Sequence, residues 1–272
     1  SRVYQNVLQC LYKNHPVRID TAGTIDSVNS INKKILYDCY NTFYNPSNIV
    51  ISLCGDFNPE EIIERTKNMI VQKESYKDIK RIYPEEPEEI NKSMIIEKME
   101  ISTPIFVIGI KDKPKYGKEY VRKNIAIEIL CNILIGNSSK LYKELYDNGE
   151  ILSEITFEYQ SSTDFAYLLL AGQSKEPEKV LSKFIKQIKS LKKKGIQEEE
   201  FERIKKKVYG GYITEYNEVS DIAKMFMIDC LEKVNTFDIL DEFLTVNLDY
   251  IKEILNEVFV EKNIAISIIS TN

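Results

Sequence analysis

The stretch INKKILYDCYNTFYNPSNIVIS occupies residues 31–52, and VNLDYIKEILNEVFVEKNIAIS occupies residues 246–267. Laid over one another without gaps they keep a constant offset of 215 residues, as 44 falls on 259. Asn32, Asn41, Asn48, Ile49, Ile51 and Ser52 meet Asn247, Asn256, Asn263, Ile264, Ile266 and Ser267. Apolar side chains also coincide at Ile31/Val246, Leu36/Ile251, Cys39/Ile254, Tyr40/Leu255, Tyr44/Phe259 and Leu53/Ile268. Each copy predicts the same device. An Asn side-chain oxygen caps a short amphipathic helix that ends on an aromatic. A turn then leads into a strand starting at Asn-Ile, apolar enough to be buried. Agreement in cap, period and strand together points to duplication of one folding unit.

Just beyond the first copy, Gly55 follows the strand, Asn58 is placed to cap a helix, Pro59 suits its first position and Glu61 falls at N3. A strand–glycine–helix junction can hold phosphate, but a phosphate cradle calls for several glycines and here there is one. The second copy ends at Ser270-Thr271-Asn272 with neither glycine nor helix. NIVIS is therefore a structural unit used twice, not a ligand loop.

The segment ESYKDIKRIYPEEPEEINKSMI (74–95) is charged, holds two prolines and lacks a clean period, so it reads as a linker or edge segment. The expected division is 1–74 as the C-terminal part of a first unit, 75–95 as linker and 96–272 as a whole second unit. If the second unit begins near 95, its twin begins about 120 residues before Ser1. The first copy is thus expected to be truncated.

Within the second unit, TPIFVIGIK (103–111) predicts a strand, and 118–135 a helix with Gly136 as C-cap. Ser138 or Ser139 should cap a further short helix within 136–150. Ile155, Phe157 and Tyr159 alternate with Thr156 and Glu158, and FAYLLLAG (165–172) follows after a turn, which predicts two more strands. Lys175–Lys194 and Gln197–Tyr216 read as long helices, further helical segments fill 219–257, and the last strand is 263–269. Strands before and after a block of helices give an α+β fold: duplicated domains of mainly antiparallel sheet with helices packed on one face.

The bulk composition is that of a globular chain: 272 residues, 43% hydrophobic and 29% charged. A net charge of −5 argues against nucleic acid as partner, and the basic stretches KSLKKKG (189–195) and RIKKKVYGGY (203–212) read as solvated helix faces. Cys10, Cys39, Cys54, Cys131 and Cys230 are scattered and never spaced as CxxC, which favours a reducing, cytoplasmic setting over a disulfide framework. No apolar run approaches a membrane span, so no membrane partner is expected.

Chemistry is sparse. His15, in LYKNHPVRID, is the single histidine, and a catalytic zinc normally takes three protein ligands, so His15 reads as a turn residue. Ser138 has no histidine in its unit to activate it as a nucleophile. Glu85-Glu86, Glu88-Glu89 and Glu198-Glu199-Glu200 read as solvated surface. The residues alone name no catalytic or metal site.

The segment HPVRIDTAGTIDSVNSINKKILYDCYNTFYNPSNIVISLCGDFNPEEI (15–62) resembles the zinc metallopeptidases of the insulinase/pitrilysin family, inverzincins whose metal motif is H-x-x-E-H. The shared order is His-Pro, Gly-Thr, a capped helix ending in aromatics, Tyr-x-Pro-x-Asn, a buried strand, Gly-Asp and a helix. ILIGNSSKLYKELYDNG (133–149) is similar to that family's small-residue turn and helix in its second domain. The resemblance implies duplicated α+β domains facing a chamber, a zinc endopeptidase parent acting on short unfolded peptides, and zinc and a base glutamate upstream of Ser1, with no zinc expected in this piece. It also implies an Arg and, seven residues later, a Tyr that hold substrate. Those positions are here Tyr146 and Ser153, so the pair is lost. Some bacterial members assemble two different chains, one with the zinc motif and one with the clamp, which makes a paralogous partner, or else a homodimer, the expected assembly. The alternative is a non-catalytic scaffold or partner-binding subunit like the family's core subunits in respiratory complexes. A plain binding module unrelated to peptidases would require the two matched segments to fold differently.

Overall fold

The computed structural model describes residues 2–70 and 79–271. Residues 71–78, which carry the end of the expected first unit and the start of the expected linker, lie outside them. The chain forms two compact units. One combines Ser1–Ile19, Pro84–Tyr212 and Phe237–Asn272; the other combines Asp20–Tyr83 and Ile213–Thr236.

The larger unit is built on a sheet of β1 (Met94–Lys98), β2 (Ile105–Asp112), β3 (Thr156–Ser161), β4 (Ala166–Gln173) and β5 (Ile264–Ser270). Their order is β1-β5-β2-β4-β3. β1 runs parallel to β5, and the other pairings are antiparallel. Ile108, at the centre, stands opposite Leu170 on one side and Ile266 on the other. The linker reading of 74–95 does not foresee β1; MIIEK is half-exposed along an edge and too short to advertise itself.

Alternation along β2 assigns its two faces to two helical layers. Val107, with Tyr167 and Leu169 of β4 and Ala265 and Ile269 of β5, packs on α1 (Arg2–Leu11), whose Val3, Val7, Leu8 and Leu11 recur at helical spacing. Gly109 makes that approach possible, since a Cβ there would stand 2.7 Å from Val7 Cγ2. Phe106, Ile108 and Ile110 turn the other way, toward the layer containing α5 (Gly117–Ile135), α7 (Pro177–Lys194) and α11 (Leu248–Val258). α5 is apolar nearly all round, and Val121 through Ile135 are mostly buried, as its position inside the layer requires. α6 (Lys140–Asp147), α8 (Glu198–Thr214) and α10 (Asp238–Thr245) complete the set. The helical layer expected on one face is there, and α1 covers the other.

The smaller unit holds α2 (Ile25–Asn29), α3 (Lys33–Phe43), α4 (Pro59–Met69) and α9 (Val219–Leu231). The repeat is reproduced in backbone geometry. α3 and the 3₁₀ turn Pro46–Asn48 map onto α11 and the 3₁₀ turn Glu261–Asn263 with the same 215-residue shift at every boundary. Asn32 accepts the Ile35 N–H at 3.1 Å, and Asn247 the Tyr250 N–H at 2.9 Å. Tyr44 and Phe259 close their helices at φ/ψ of −88°/66° and −84°/61°.

One expectation fails. The first-copy stretch leaves its turn extended at Ile49 but is not buried: Ile49, Ile51 and Leu53 are 49%, 60% and 57% exposed, and they enter no strand pairing among the described residues. A strand needs neighbours for its backbone groups. β5 has β1 and β2, whereas 49–53 has neither counterpart in the described chain. The same shift places α1 over 217–226, which overlaps α9 from Val219 onward. Each unit therefore contains one helix that belongs by sequence to the other copy.

Candidate functional site

Tyr146 and Ser153, the positions singled out by the resemblance, lie in α6 and in the loop between α6 and the edge strand β3. Gly136 ends α5, and a Cβ at that point would stand 2.7 Å from the Asn132 carbonyl oxygen. Three residues on, Ser139 starts α6 by accepting the Tyr142 N–H at 3.0 Å. Leu141 and Leu145 are buried four residues apart. Tyr142 and Tyr146, on another side of the same helix, stack at 6.0 Å between centroids with planes 11° apart, and Tyr146 is 59% exposed. Gly149 takes the left-handed turn that ends the helix, at φ 66°.

The loop that follows is anchored. The buried Glu150 carboxylate pairs with Lys179 at 3.0 Å and Lys183 at 2.7 Å, and the Lys183 ammonium is the main reason its carboxyl is held below the usual carboxylate range. Ser174 Oγ donates to the Glu150 carbonyl, and the Leu152 N–H donates to the Gln173 carbonyl. Ile151 and Ile155 are buried on either side of the half-buried Ser153. The loop thus has a fixed course, and at positions 146 and 153 the chain carries a phenol and a hydroxyl. Neither group brings a permanent charge to a peptide carbonyl.

His15 is a structural residue. Its Nδ1 accepts the Val17 N–H at 3.0 Å, capping the turn Pro16–Arg18, and its Nε2 lies 3.1 Å from Asp164 Oδ2. The ring is buried against Tyr12 and Phe165. Ser138 is exposed, with Arg203 Nη1 at 3.4 Å from its hydroxyl. Asn58 caps α4 as expected, accepting the Glu61 N–H at 3.1 Å beyond Gly55.

Glu86 corrects the reading of its cluster as solvated surface. Its carboxylate accepts three successive backbone N–H groups, from Lys13, Asn14 and His15, and pairs with Lys111 Nζ at 2.6 Å. Burial would raise the carboxyl, but these donors outweigh it and hold the group at about 2. Sequence reasoning missed this because the partners lie more than 70 residues away at Lys13 to His15. Its neighbour Glu88 does stay in solvent, paired with the equally exposed Lys113.

A second buried charge group was also missed. Lys123 Nζ lies 2.7 Å from Asp112 Oδ2 and 2.9 Å from Glu257 Oε1, and Tyr159 donates its hydroxyl to the same Asp112 oxygen. The signal in the sequence is weak: Lys123 sits beside Arg122 just before the apolar run that begins at Ile125. Asp112, Glu257, Lys111 and Glu86 line a cavity of about 670 Å³ at one end of the sheet. Its buried charges are paired with one another, which leaves no uncompensated group aimed at a ligand.

Among the described residues no group of three or more His, Cys, Asp or Glu could hold a metal ion. The zinc that the resemblance implies does not fit here, since both nitrogens of the single histidine are engaged. Among the described residues no helix is long and apolar enough to cross a membrane.

A mixed five-stranded sheet between α1 and a layer of long helices, with a helix–turn–strand device used twice, defines a duplicated α+β domain protein. The family described as the peptidase M16 inactive domain matches residues 30–208, and the chain belongs to it. It is 31% identical over 261 residues to the zinc protease YmfH of Bacillus subtilis, covering 94% of this chain and 60% of that protein. It is 22% identical over 267 residues to the zinc protease PqqE of Helicobacter pylori, covering 94% and 59%. A crystal structure described as an M16-like peptidase from Alicyclobacillus acidocaldarius superposes with a TM-score of 0.92 at 29% identity, over 100% of this chain and 66% of that one. The chain thus spans about 60% of the length of these curated relatives.

Proposed function

We propose that the chain is the non-catalytic portion of an M16 zinc endopeptidase. Residues 1–74 would be the C-terminal part of the first peptidase-like domain, 75–95 the linker and 96–272 the second, inactive domain, supplying a wall of the chamber in which short unfolded peptides are cut. Zinc and the glutamate that activates water would reside on residues upstream of Ser1, where the metal supplies Lewis-acid polarisation of water. What supports this reading most is the conjunction of two observations: the match to the M16 inactive domain over 30–208, and a first copy whose strand is exposed where its twin is buried.

Tyr146 and Ser153 stand at the clamp positions without the charge a clamp would bring. This favours a parent that works with a paralogous chain carrying the clamp, over one that acts as a homodimer, and the scattered free cysteines favour a cytoplasmic setting for it. The encoded upstream residues should contain an intact H-x-x-E-H, and the longer protein mixed with its paralogue should cleave unstructured peptides in a chelator-sensitive way. A degraded motif would instead favour the non-catalytic scaffold. Normal cleavage by the longer protein alone would exclude a required clamp partner.

A further inference from the structure

The chain re-enters the larger unit at Pro84, and the returning segment interlocks with the end of α1. The last carbonyls of α1 need partners from outside the helix. The N–H groups of Asn91 and Lys92 both donate to the Cys10 carbonyl, at 2.8 and 3.0 Å, and Asn91 Nδ2 donates to the Gln9 carbonyl at 2.9 Å. In the other direction, the N–H groups of Lys13, Asn14 and His15 converge on the Glu86 carboxylate, and Asn14 Nδ2 donates to the Glu85 carbonyl at 2.8 Å. Successive N–H groups turned to one point make a concave anion site. Lys111 adds the cation: its Nζ donates to Glu86 Oε1 at 2.6 Å and to the carbonyls of Pro87 and Glu89 at 2.7 and 3.1 Å.

The side of this site that belongs to α1 and the sheet is held in place without Glu86. Tyr12, just before the three amides, donates its N–H to the Leu8 carbonyl at 2.9 Å and its hydroxyl to the Ala166 carbonyl at 2.7 Å. His15, at the other end, is 3% exposed and is fixed through both ring nitrogens by Val17 and Asp164. Lys111 is part of β2 and 6% exposed, with its ammonium 4.7 Å from the centre of the Tyr12 ring. Removing the carboxylate alone would leave these donors gathered, dehydrated and unpaired, which favours uptake of another anion.

We infer that the Lys13–His15 amides and Lys111 form a preformed carboxylate site, and that Glu86 fills it as a tethered, releasable ligand. Residues 84–92 are thereby a clasp that closes on the end of α1 and opens as one piece. Pro84 and Pro87 restrict the backbone on either side of Glu85-Glu86, so the carboxylate is delivered on a stiff segment. The clasp fixes both passages of the chain on the larger unit, the one that leaves after Ile19 and the one that returns at Pro84. It stands on contacts within that unit and is independent of the peptidase reading.

The test is residue-resolved hydrogen exchange on Glu86→Ala, in sodium chloride and in sodium acetate of equal ionic strength. In chloride, the amides of 13–15 and those of Asn91 and Lys92 should exchange at least about 10-fold faster than in the wild type. Acetate should restore protection at 13–15, where it replaces the missing carboxylate. It should leave Asn91 and Lys92 fast, because the replacement carries no tether. Wild-type exchange at Asn91 and Lys92 in the variant would overturn the clasp, and the absence of acetate-specific protection at 13–15 would overturn the preformed site. Glu86→Gln keeps the shape without the charge and serves if Glu86→Ala does not fold. It should accelerate the same amides by a smaller factor, whereas Glu88→Gln, at the exposed neighbouring pair, should accelerate none of them. No acceleration by Glu86→Gln, or equal acceleration by Glu88→Gln, would contradict the assignment to Glu86.

Discussion

Residues 32–52 and 247–267 share caps, helix length, 3₁₀ turn and closing dihedrals, yet one segment is solvated and the other forms part of a core. Ile51 and Ile266 occupy the same place in the same device at 60% and 0% exposure. Local sequence is therefore sufficient for the backbone course, because caps, turn prolines and helical period act over a few residues. It is not sufficient for a strand, which exists only when neighbours take up its N–H and C=O groups.

Variants that sharpen this contrast begin with Lys123. It ties α5 to Glu257 of the second-copy helix, while the first-copy counterpart Thr42 donates within its own helix, to the Asp38 carbonyl. Lys123→Ala strips Asp112 of its buried counter-ion and should cost about 3–5 kcal/mol in urea denaturation of the larger unit. A loss below about 1 kcal/mol would mean water already reaches the pair.

Next come the matched isoleucines. Ile266→Ala should cost about 2–5 kcal/mol as a core truncation, and Ile51→Ala less than about 0.5 kcal/mol in the same chain. Equal costs would break the comparison.

Acid is the third lever. The folded Glu86 carboxyl, at about 2, lies below its ordinary value of 4.5, so its stabilisation is complete above 4.5 and fades as pH falls toward 2. The difference corresponds to about 3 kcal/mol. A Glu86→Gln protein should lose most of that acid sensitivity between pH 4.5 and 2 while 49–53 stays as solvated as before. A wild-type-like acid transition in the variant would remove Glu86 from the account.

The smallest effect concerns the caps. Asn247→Ala should lower the stability of the larger unit by about 1 kcal/mol. Asn32→Ala, with the same cap geometry, should reduce helical circular dichroism without moving that transition.

Much of the fold was legible because its signals are local. The strands from 103 onward, the helix ending at Gly136, a cap at Ser138 or Ser139 (it is Ser139) and the duplication all follow from spacing and caps. β1 was not, since its identity comes from pairing with Ile266–Ser270 at the far end of the chain. Glu86 was misread for a similar reason: its donors come from Lys13–His15 and Lys111, which no local pattern links to a run of acids and prolines. Tyr146 and Ser153 are singled out on resemblance, and their surroundings are a finding of the structure. The anchoring of the loop between them, through Glu150 with Lys179 and Lys183, emerged only in three dimensions.

The central claim is that one device appears twice, once completed by its neighbours and once not. Residue-resolved hydrogen exchange on this chain at neutral pH compares Ile51 with Ile266 in a single sample. The account predicts near-random-coil exchange at Ile51 and exchange only through global unfolding of the larger unit at Ile266. Comparable protection at the two amides in a monomeric sample would contradict it.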